Sequence, residues 1–108
     1  MNELTQKHCR ACEGGTQPMD QTEAQKMLEQ VPGWELLEKS IEKSFKFDDF
    51  YQTIAFVNAV AWIANQEDHH PDLLVGYNKC RITYSTHAIG GLSENDFISA
   101  AKVNELLQ

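Results

Sequence analysis

The spacing of apolar and polar residues predicts a helix followed by a hairpin in the first half of the chain. Asp20 and Glu23 form a capping-box-like pair, apolar residues then recur at helical spacing, and Pro32-Gly33 ends the helix. Apolar and polar residues alternate through residues 34–47, which is typical of two antiparallel strands. The apolar positions of the first helix are Ala24, Met27, Leu28 and Val31.

A second helix is predicted from Asp48, a suitable N-cap, to about Gln66. Its side chains are apolar on nearly every side, and one face of a small sheet cannot cover them all. We therefore expect the 49–66 helix to contact a second copy of the chain and to form a homo-oligomer, either a dimer or a tetramer. The alternative is a helix that is deeply buried within one chain.

The residues after this helix predict a second hairpin and a third helix. Two strands are expected over residues 73–77 and 80–87. Alternation assigns one face of the second strand to Cys80, Ile82, Tyr84 and Thr86. Ser93 and Asp96 form the capping pair of the last helix. The order α-β-β-α-β-β-α predicts a two-layer α+β fold, in which three helices pack on one face of a four-stranded antiparallel sheet.

The composition indicates one domain and narrows the choice of partners. The chain has 108 residues, of which 42% are hydrophobic and 23% charged. A net charge of −7 argues against a nucleic-acid partner, because such binding relies on Lys and Arg. No apolar run is long enough to cross a bilayer and no signal peptide is visible, so we expect no membrane partner. The odd count of three cysteines favours a reducing, cytoplasmic location.

Residues 1–19 lack a periodic apolar pattern and predict a flexible N-terminal arm before a single domain over residues 20–108. The arm carries Cys9 and Cys12 at Cys-x-x-Cys spacing, directly after His8. A structural zinc site usually needs four ligands, and no second ligand pair stands at a suitable spacing. A redox pair would need a strand-to-helix setting that the arm lacks. The spacing therefore favours neither role.

Three of the four histidines stand in the second half of the chain, at His69, His70 and His87. Histidine suits proton transfer or metal ligation, because its unperturbed pKa lies near neutrality. A metal site would need an acidic fourth ligand such as Asp68 or Asp96. Adjacent histidines on an extended segment point in opposite directions, which makes joint binding of one ion awkward. No His-Glu-x-x-His spacing is present either.

Two other kinds of chemistry remain for these histidines. Nucleophilic catalysis by Ser85, which is close to His87 in sequence, would be expected to have a Gly-x-Ser-x-Gly turn, and that turn is absent. General acid–base catalysis needs only imidazoles that face different atoms of one substrate. Acid–base catalysis is therefore the favoured chemistry.

A set of separated motifs resembles one known family. The motifs are His69-His70-Pro71, Tyr77, His87 and Asp96, together with Pro32-Gly33-Trp34, residues 45–50 and Ser85-Thr86-His87. They resemble the pterin-4a-carbinolamine dehydratases, also known as dimerisation cofactors of a hepatocyte homeodomain transcription factor. The resemblance covers about residues 20–107, and the cysteine-containing arm is similar to that of bacterial members. One position departs: Asn65 stands where the family has an acidic residue, and an amide cannot hold a negative charge.

The resemblance implies that a 4a-hydroxytetrahydropterin is dehydrated to the quinonoid dihydropterin in tetrahydrobiopterin recycling, without a metal or an organic cofactor. His69 and His87 are then candidates for the acid that protonates the leaving hydroxyl, and His70 for binding the pterin or accepting its proton. The implied substrate-binding residues are Asn65, Asp68, Pro71, Tyr77, Ser85, Thr86 and Asp96. The alternative is an oligomeric interaction or transcriptional-coactivator module of the same fold, with weak activity or none.

Overall fold

The computed structural model describes residues 3–11 and 16–107 of the chain. Within these residues it contains three α-helices, four β-strands and two short 3-10 helices. The α-helices are α1, Gln21–Leu28, α2, Phe50–Glu67, and α3, Glu94–Glu105. The strands are β1, Glu35–Leu36, β2, Ile41–Lys46, β3, Asp72–Val75, and β4, Lys79–Tyr84. The 3-10 helices are Glu3–Gln6 and His87–Ile89.

The strands form one antiparallel sheet in the order β1-β2-β4-β3. Its inner strands join the two hairpins, with pairs running from Ile41 and Tyr84 at one end to Lys46 and Lys79 at the other. The buried face of β4 consists of Cys80, Ile82 and Tyr84, as alternation predicts. The predicted α+β class, with its order of helices and strands, is confirmed.

Side-chain caps set the beginnings of the three helices. The predicted caps of α1 and α3 are confirmed at Asp20 and Ser93. The cap predicted for α2 at Asp48 is wrong by one residue. Asp49 occupies that position, where its carboxylate accepts a hydrogen bond from the Gln52 N–H at 2.8 Å. Two adjacent aspartates offer the same capping group, so the sequence pattern could not separate them.

The second hairpin is shorter than predicted. Strand β3 ends at Val75 and β4 ends at Tyr84, so the predicted ends at residues 77 and 87 are wrong. The Gly76 N–H donates to the Lys79 carbonyl at 2.8 Å and closes the connection between the strands. The chain leaves the sheet after Tyr84, and His87 begins a 3-10 helix instead of ending a strand. This exit from the sheet determines where His87 lies.

Helix α2 buries one side and exposes the other. Its buried residues are Thr53, Phe56, Val60, Ile63, Ala64 and Glu67. On the exposed side Tyr51 is 83% exposed and Trp62 is 69% exposed. The alternative of a helix deeply buried within one chain is therefore wrong. In the part of the chain that the structure describes, no helix is both long and apolar enough to span a bilayer.

Candidate active site

The end of α2 presents two of the three histidines. Asp68 follows the last helical residue and adopts the left-handed conformation, with φ 52° and ψ 42°, which is uncommon for a residue other than glycine. The helix ends there, with the His69 N–H donating to the Ala64 carbonyl at 3.1 Å. His69 and His70 therefore lie in an irregular segment beyond the helix, and Pro71 biases His70 towards extended geometry.

The third histidine comes from the turn that leaves the sheet. The Thr86 N–H donates to the Gly91 carbonyl at 2.9 Å, and the Gly90 N–H donates to the His87 carbonyl at 3.1 Å. Gly90 has φ 67°, the left-handed conformation that glycine adopts without strain. These backbone bonds close a short loop and hold His87 at one corner of it.

The three histidines line one cavity of about 260 Å³. This volume is slightly below the range of about 300–1,000 Å³ that is usual for ligand sites, and it suits a small molecule. Other predicted site residues that line it are Asp68, Ser85 and Thr86. The structure thus brings together imidazoles from two segments, one on each side of β3 and β4 in the sequence.

Asp96 lies beneath the cavity and holds one of the imidazoles. Its side chain is fully buried, and its Oδ1 lies 2.6 Å from Nε2 of His69. Its Oδ2 accepts hydrogen bonds from the Thr86 hydroxyl at 2.9 Å and from the Ser93 N–H at 3.0 Å. A carboxylate accepts only, so Nε2 of His69 is the donor when Asp96 is ionised. Nδ1 is then the ring nitrogen of His69 that is left for a substrate.

A second contact fixes the plane of the same ring. The His69 imidazole stacks on Tyr84, with ring centroids 5.7 Å apart and planes 7° from parallel. Tyr84 is buried in β4, and burial raises the pKa of its phenol. The tyrosine ring therefore acts as an uncharged support, and the apolar pattern could identify it only as a core residue.

Four of the predicted site residues do not line this cavity. Asn65 is exposed on α2, and Pro71 directly follows His70. Tyr77 lies between β3 and β4, is 66% exposed, and stacks on Phe50 with ring centroids 6.5 Å apart. Asp96 does not line the cavity itself but contacts two residues that do, His69 and Thr86. Roles for Asn65, Pro71, Tyr77 and Asp96 in substrate binding stay predictions.

The described residues bear on metal binding and on the reactivity of the Cys9 thiol. Among residues 3–11 and 16–107, no three His, Cys, Asp or Glu side chains are grouped so that they could hold a metal ion. Burial raises the pKa of the Cys9 thiol to about 11, so the thiol is protonated at neutral pH. Its predicted companion Cys12 lies outside the described residues, as do Gly14 and Gly15.

The N-terminal arm contributes a wall of the cavity that the apolar pattern did not predict. Arg10 and Ala11 line the cavity together with Asn95 of α3. Leu4 of the arm is only 2% exposed and belongs to the hydrophobic core. Single contacts from an irregular segment carry no periodicity, so no sequence signal could have identified them. The domain boundary at residue 20 stays a prediction.

Comparisons with known proteins place these features in a family. The sequence model of the family described as pterin 4 alpha carbinolamine dehydratase matches residues 17–106. A protein of Nitrosospira multiformis, provisionally named a pterin-4-alpha-carbinolamine dehydratase, is 56% identical over 108 residues, which are 100% of this chain and 96% of that protein. A relative from Nitrosomonas eutropha with the same provisional name is 58% identical, over 97% of this chain and 94% of its own.

Two solved structures share the fold. The transcriptional coactivator/pterin dehydratase from Brucella melitensis superposes with a TM-score of 0.80 and 31% identity, covering 84% of this chain and 99% of its own. A pterin dehydratase-like protein identified as a RuBisCO assembly factor in the alpha-carboxysome superposes with a TM-score of 0.57 and 26% identity, covering 68% of this chain and 84% of its own. Proteins with this fold therefore carry names of both catalytic and assembly roles.

Proposed function

We propose, from the premise that this chain belongs to the pterin 4 alpha carbinolamine dehydratase family, that it converts a 4a-hydroxytetrahydropterin to the quinonoid dihydropterin in tetrahydrobiopterin recycling. The observation that carries the proposal is the single cavity lined by His69, His70 and His87. Three imidazoles around a space that suits a small molecule are the groups that an acid–base elimination needs.

The elimination moves two protons and breaks one bond. The C4a–O bond breaks with its electron pair going to oxygen, which leaves as water after receiving a proton. N5 loses its proton, and a double bond forms between N5 and C4a. His69 and His87 are the candidate acids at the hydroxyl, and His70 binds the pterin or accepts the proton from N5. Each proton transfer assisted in this way is worth about 10²–10⁴ in rate.

Asp96 is a positioning residue in this scheme. It holds Nε2 of His69 at 2.6 Å and is itself held by Thr86 and Ser93. The hydrogen bonds lock the orientation of the His69 ring, so that Nδ1 stays turned to the reacting atoms. Because these hydrogen bonds restrict the ring before the substrate binds, less freedom of the catalytic group has to be lost in reaching the transition state.

Asp68 is the candidate for the carboxylate that is missing at Asn65. Glu67 and Asp68 are both close in sequence to position 65, where the family has an acidic residue. The Glu67 side chain, however, is only 3% exposed and accepts hydrogen bonds from the N-terminal arm. Asp68 lines the same cavity as the histidines. Ser85 and Thr86 are the further substrate-binding candidates in the cavity.

The direct test generates the 4a-carbinolamine with an aromatic amino-acid hydroxylase and follows its loss with and without this protein. We expect the protein to accelerate the loss, and we expect the acceleration to survive EDTA. A rate equal to the spontaneous one at micromolar protein would contradict the proposed activity. An acceleration abolished by EDTA and restored by a divalent cation would contradict acid–base chemistry without a metal.

The outer side of α2 supports a second candidate function. A groove of about 380 Å³ lies along this side of the helix, and its lining includes Phe47, Tyr51, Ala55 and Leu107. An apolar groove on a helix suits a second copy of the chain or a helical segment of a partner. In this alternative the chain is an interaction or coactivator module, and it would form oligomers without turning over the carbinolamine.

Three further proposals rest on the apolar pattern of α2 and on the composition of the chain. We propose a homo-oligomer, dimer or tetramer, assembled through the 49–66 helix. The net charge of −7 supports neither a nucleic-acid nor a membrane-surface partner. The odd cysteine count supports a cytoplasmic location.

A further inference from the structure

We infer that Arg10 is a substrate-binding residue, which the N-terminal arm brings to the cavity and which the ends of α2 and α3 hold in place. The inference rests on the proposed function, because the bound molecule is taken to be the pterin. Arg10 lines the same cavity as His69, His70 and His87, although it is distant from them in sequence. It is the arginine of that lining, which contains no lysine among the described residues.

Asn95 fixes the backbone of Arg10 on both sides. The Arg10 N–H donates to Oδ1 of Asn95 at 3.0 Å, and Nδ2 of Asn95 donates to the Arg10 carbonyl at 2.6 Å. One side-chain amide thus satisfies both backbone groups of one residue. Asn95 is 7% exposed, so water competes little for these bonds.

Glu67 holds the two residues that precede Arg10. The Cys9 N–H donates to one carboxylate oxygen of Glu67 at 2.8 Å, and Nδ1 of His8 lies 2.9 Å from the other. Burial alone would raise the pKa of Glu67, but these hydrogen bonds and the charge of Lys102 hold it below the ordinary value. The carboxylate is therefore ionised at neutral pH, and its hydrogen bonds to the arm are charge-assisted.

The residues that hold the arm also belong to the framework of the histidines. Glu67 is the last residue of α2, two positions before His69. Asn95 directly precedes Asp96, which holds the His69 ring. The end of α2 and the start of α3 therefore set the backbone position of Arg10 and the position of the His69 ring together.

The chemistry of a guanidinium defines what it can bind. Arginine is charged at all ordinary pH values and offers five N–H donors and no acceptor. Arg10 is an exposed residue and it lines the cavity, as expected of a residue that meets a ligand from solvent. The oxygen atoms of a pterin, on the ring and on its side chain, are suitable acceptors. Apart from the C4a hydroxyl, which leaves as water, these oxygens keep their bonds in the dehydration, so contact with them supports binding more than the chemical step.

The arm lies outside the part of the chain that the family model matches. The family model begins at residue 17, and the Brucella melitensis structure covers 84% of this chain with 99% of its own length. The alignment with the Nitrosospira multiformis relative spans 100% of this chain and includes the arm. Arg10 therefore lies outside the segment that the family model matches, and a residue there can set substrate preference without altering the catalytic groups.

The primary test compares steady-state kinetics of Arg10→Ala and Arg10→Lys. We expect Arg10→Ala to raise KM about tenfold with kcat within about twofold, because one charged hydrogen bond to bound substrate is lost. Arg10→Lys keeps the charge but not the fork of donors, so its KM should be intermediate. The matched control is Lys7→Ala, an arm residue that pairs with Glu94 at a half-exposed position and does not line the cavity.

A second variant tests the two hydrogen bonds between Asn95 and the Arg10 backbone rather than the guanidinium. Asn95→Ala removes both bonds to the Arg10 backbone, so KM should rise as in Arg10→Ala. In the Asn95→Ala variant, trypsin should also cut after Arg10 faster than it does in the wild type. In the Arg10→Lys variant, cutting after residue 10 should proceed at the wild-type rate. Faster cutting without a change in KM would overturn the inference, because the arm would then be released without any effect on binding.

Failure of this inference can be distinguished from failure of the proposed function. If the wild type turns over and Arg10→Ala has an unchanged KM, Arg10 does not bind substrate. If the wild type does not turn over, binding of a stable dihydropterin, followed by fluorescence quenching, replaces KM in the same comparison. Equal affinity of wild type and Arg10→Ala, or no dihydropterin binding by the wild type, would then overturn the inference.

Discussion

The histidine cavity and the outer side of α2 are built on the same helix but differ in how their side chains are packed. At the end of α2, the buried Asp96 carboxylate contacts His69, Thr86 and Ser93, so the polar groups around the cavity are held by one another. Along the helix, Tyr51 and Trp62 expose most of their aromatic surface. The polar groups around the cavity are therefore paired with one another, whereas the aromatic side chains on the outer side of α2 remain exposed.

The difference shows how one small domain separates two tasks. Buried apolar surface stabilises by about 25 cal/mol per Å², so the exposed aromatic rings of α2 represent free energy that only another surface can recover. The cavity instead depends on a few directional hydrogen bonds, which a new apolar contact elsewhere would leave unchanged. Substitutions in the two regions should therefore have separate consequences.

The largest expected effect is on the cavity side. His69→Ala and His87→Ala should each lower kcat by about 10²–10⁴, because each removes a group proposed to transfer a proton. The measurement is the coupled dehydration assay, with oligomeric state followed by light scattering. The matched control for kcat is His8→Ala, the fourth histidine, which contacts Glu67 and lies in the arm outside the cavity lining. Turnover unchanged in both cavity variants would remove the acid–base roles and leave only the assembly surface.

A smaller effect is expected on the side of the helix surface. Trp62→Asp places a charge where an aromatic ring is 69% exposed on α2. Loss of an aromatic contact should raise the dissociation constant of the proposed oligomer about thirtyfold, while turnover per chain stays close to wild type. Sedimentation at several concentrations gives the constant. Leu37→Asp, which adds the same charge in the first hairpin, should leave it unchanged; dissociation in both variants would mean that α2 is not the interface.

The smallest effect concerns the contact between the arm and the domain. The pKa of Glu67 lies below its ordinary value of 4.5 in the folded chain, so the folded state binds fewer protons there than the unfolded state. The carboxylate therefore stabilises the fold at neutral pH, and this contribution is lost as pH falls below 4.5 through the folded pKa. Glu67→Gln should lower the free energy of unfolding by about 1 kcal/mol at pH 7.

Urea unfolding at neutral and acidic pH tests whether the stabilising contribution of Glu67 is lost as the pH falls. The difference between wild type and Glu67→Gln should shrink as the pH falls, because protonation makes the two side chains alike. Glu23→Gln, a change in the exposed first turn of α1, is the matched control. A gap between wild type and Glu67→Gln that stays constant across the titration would mean that the charge of Glu67 does not hold the arm.

The elements that the sequence predicts well are those with a repeating pattern. The alternation through β4 correctly assigns Cys80, Ile82 and Tyr84 to the core, and the Ser93 cap correctly marks the start of α3. Strand ends were missed, because leaving a sheet depends on hydrogen-bond partners in other strands. The N-cap of α2 was missed because Asp48 and Asp49 differ only in backbone conformation, which composition does not reveal.

The residues of the candidate site also separate into those that the sequence indicates and those that only the folded chain reveals. Residue types and spacings were enough to select His69, His70 and His87, because few chemistries use three imidazoles near one another. The arrival of Arg10 at the same cavity could not be read from the chain, since it depends on side-chain contacts with Glu67 and Asn95 across many intervening residues.

Periodicity and residue chemistry were sufficient for the α+β order of elements and for naming His69, His70 and His87, which line one cavity and whose catalytic roles stay predictions, because both signals are written locally along the chain. The support of His69 by Asp96, the commitment of Glu67 to the arm and the place of Arg10 became visible only once the chain was folded. Each of these depends on a distance between residues that are far apart in sequence, and local propensity contains no information about such distances.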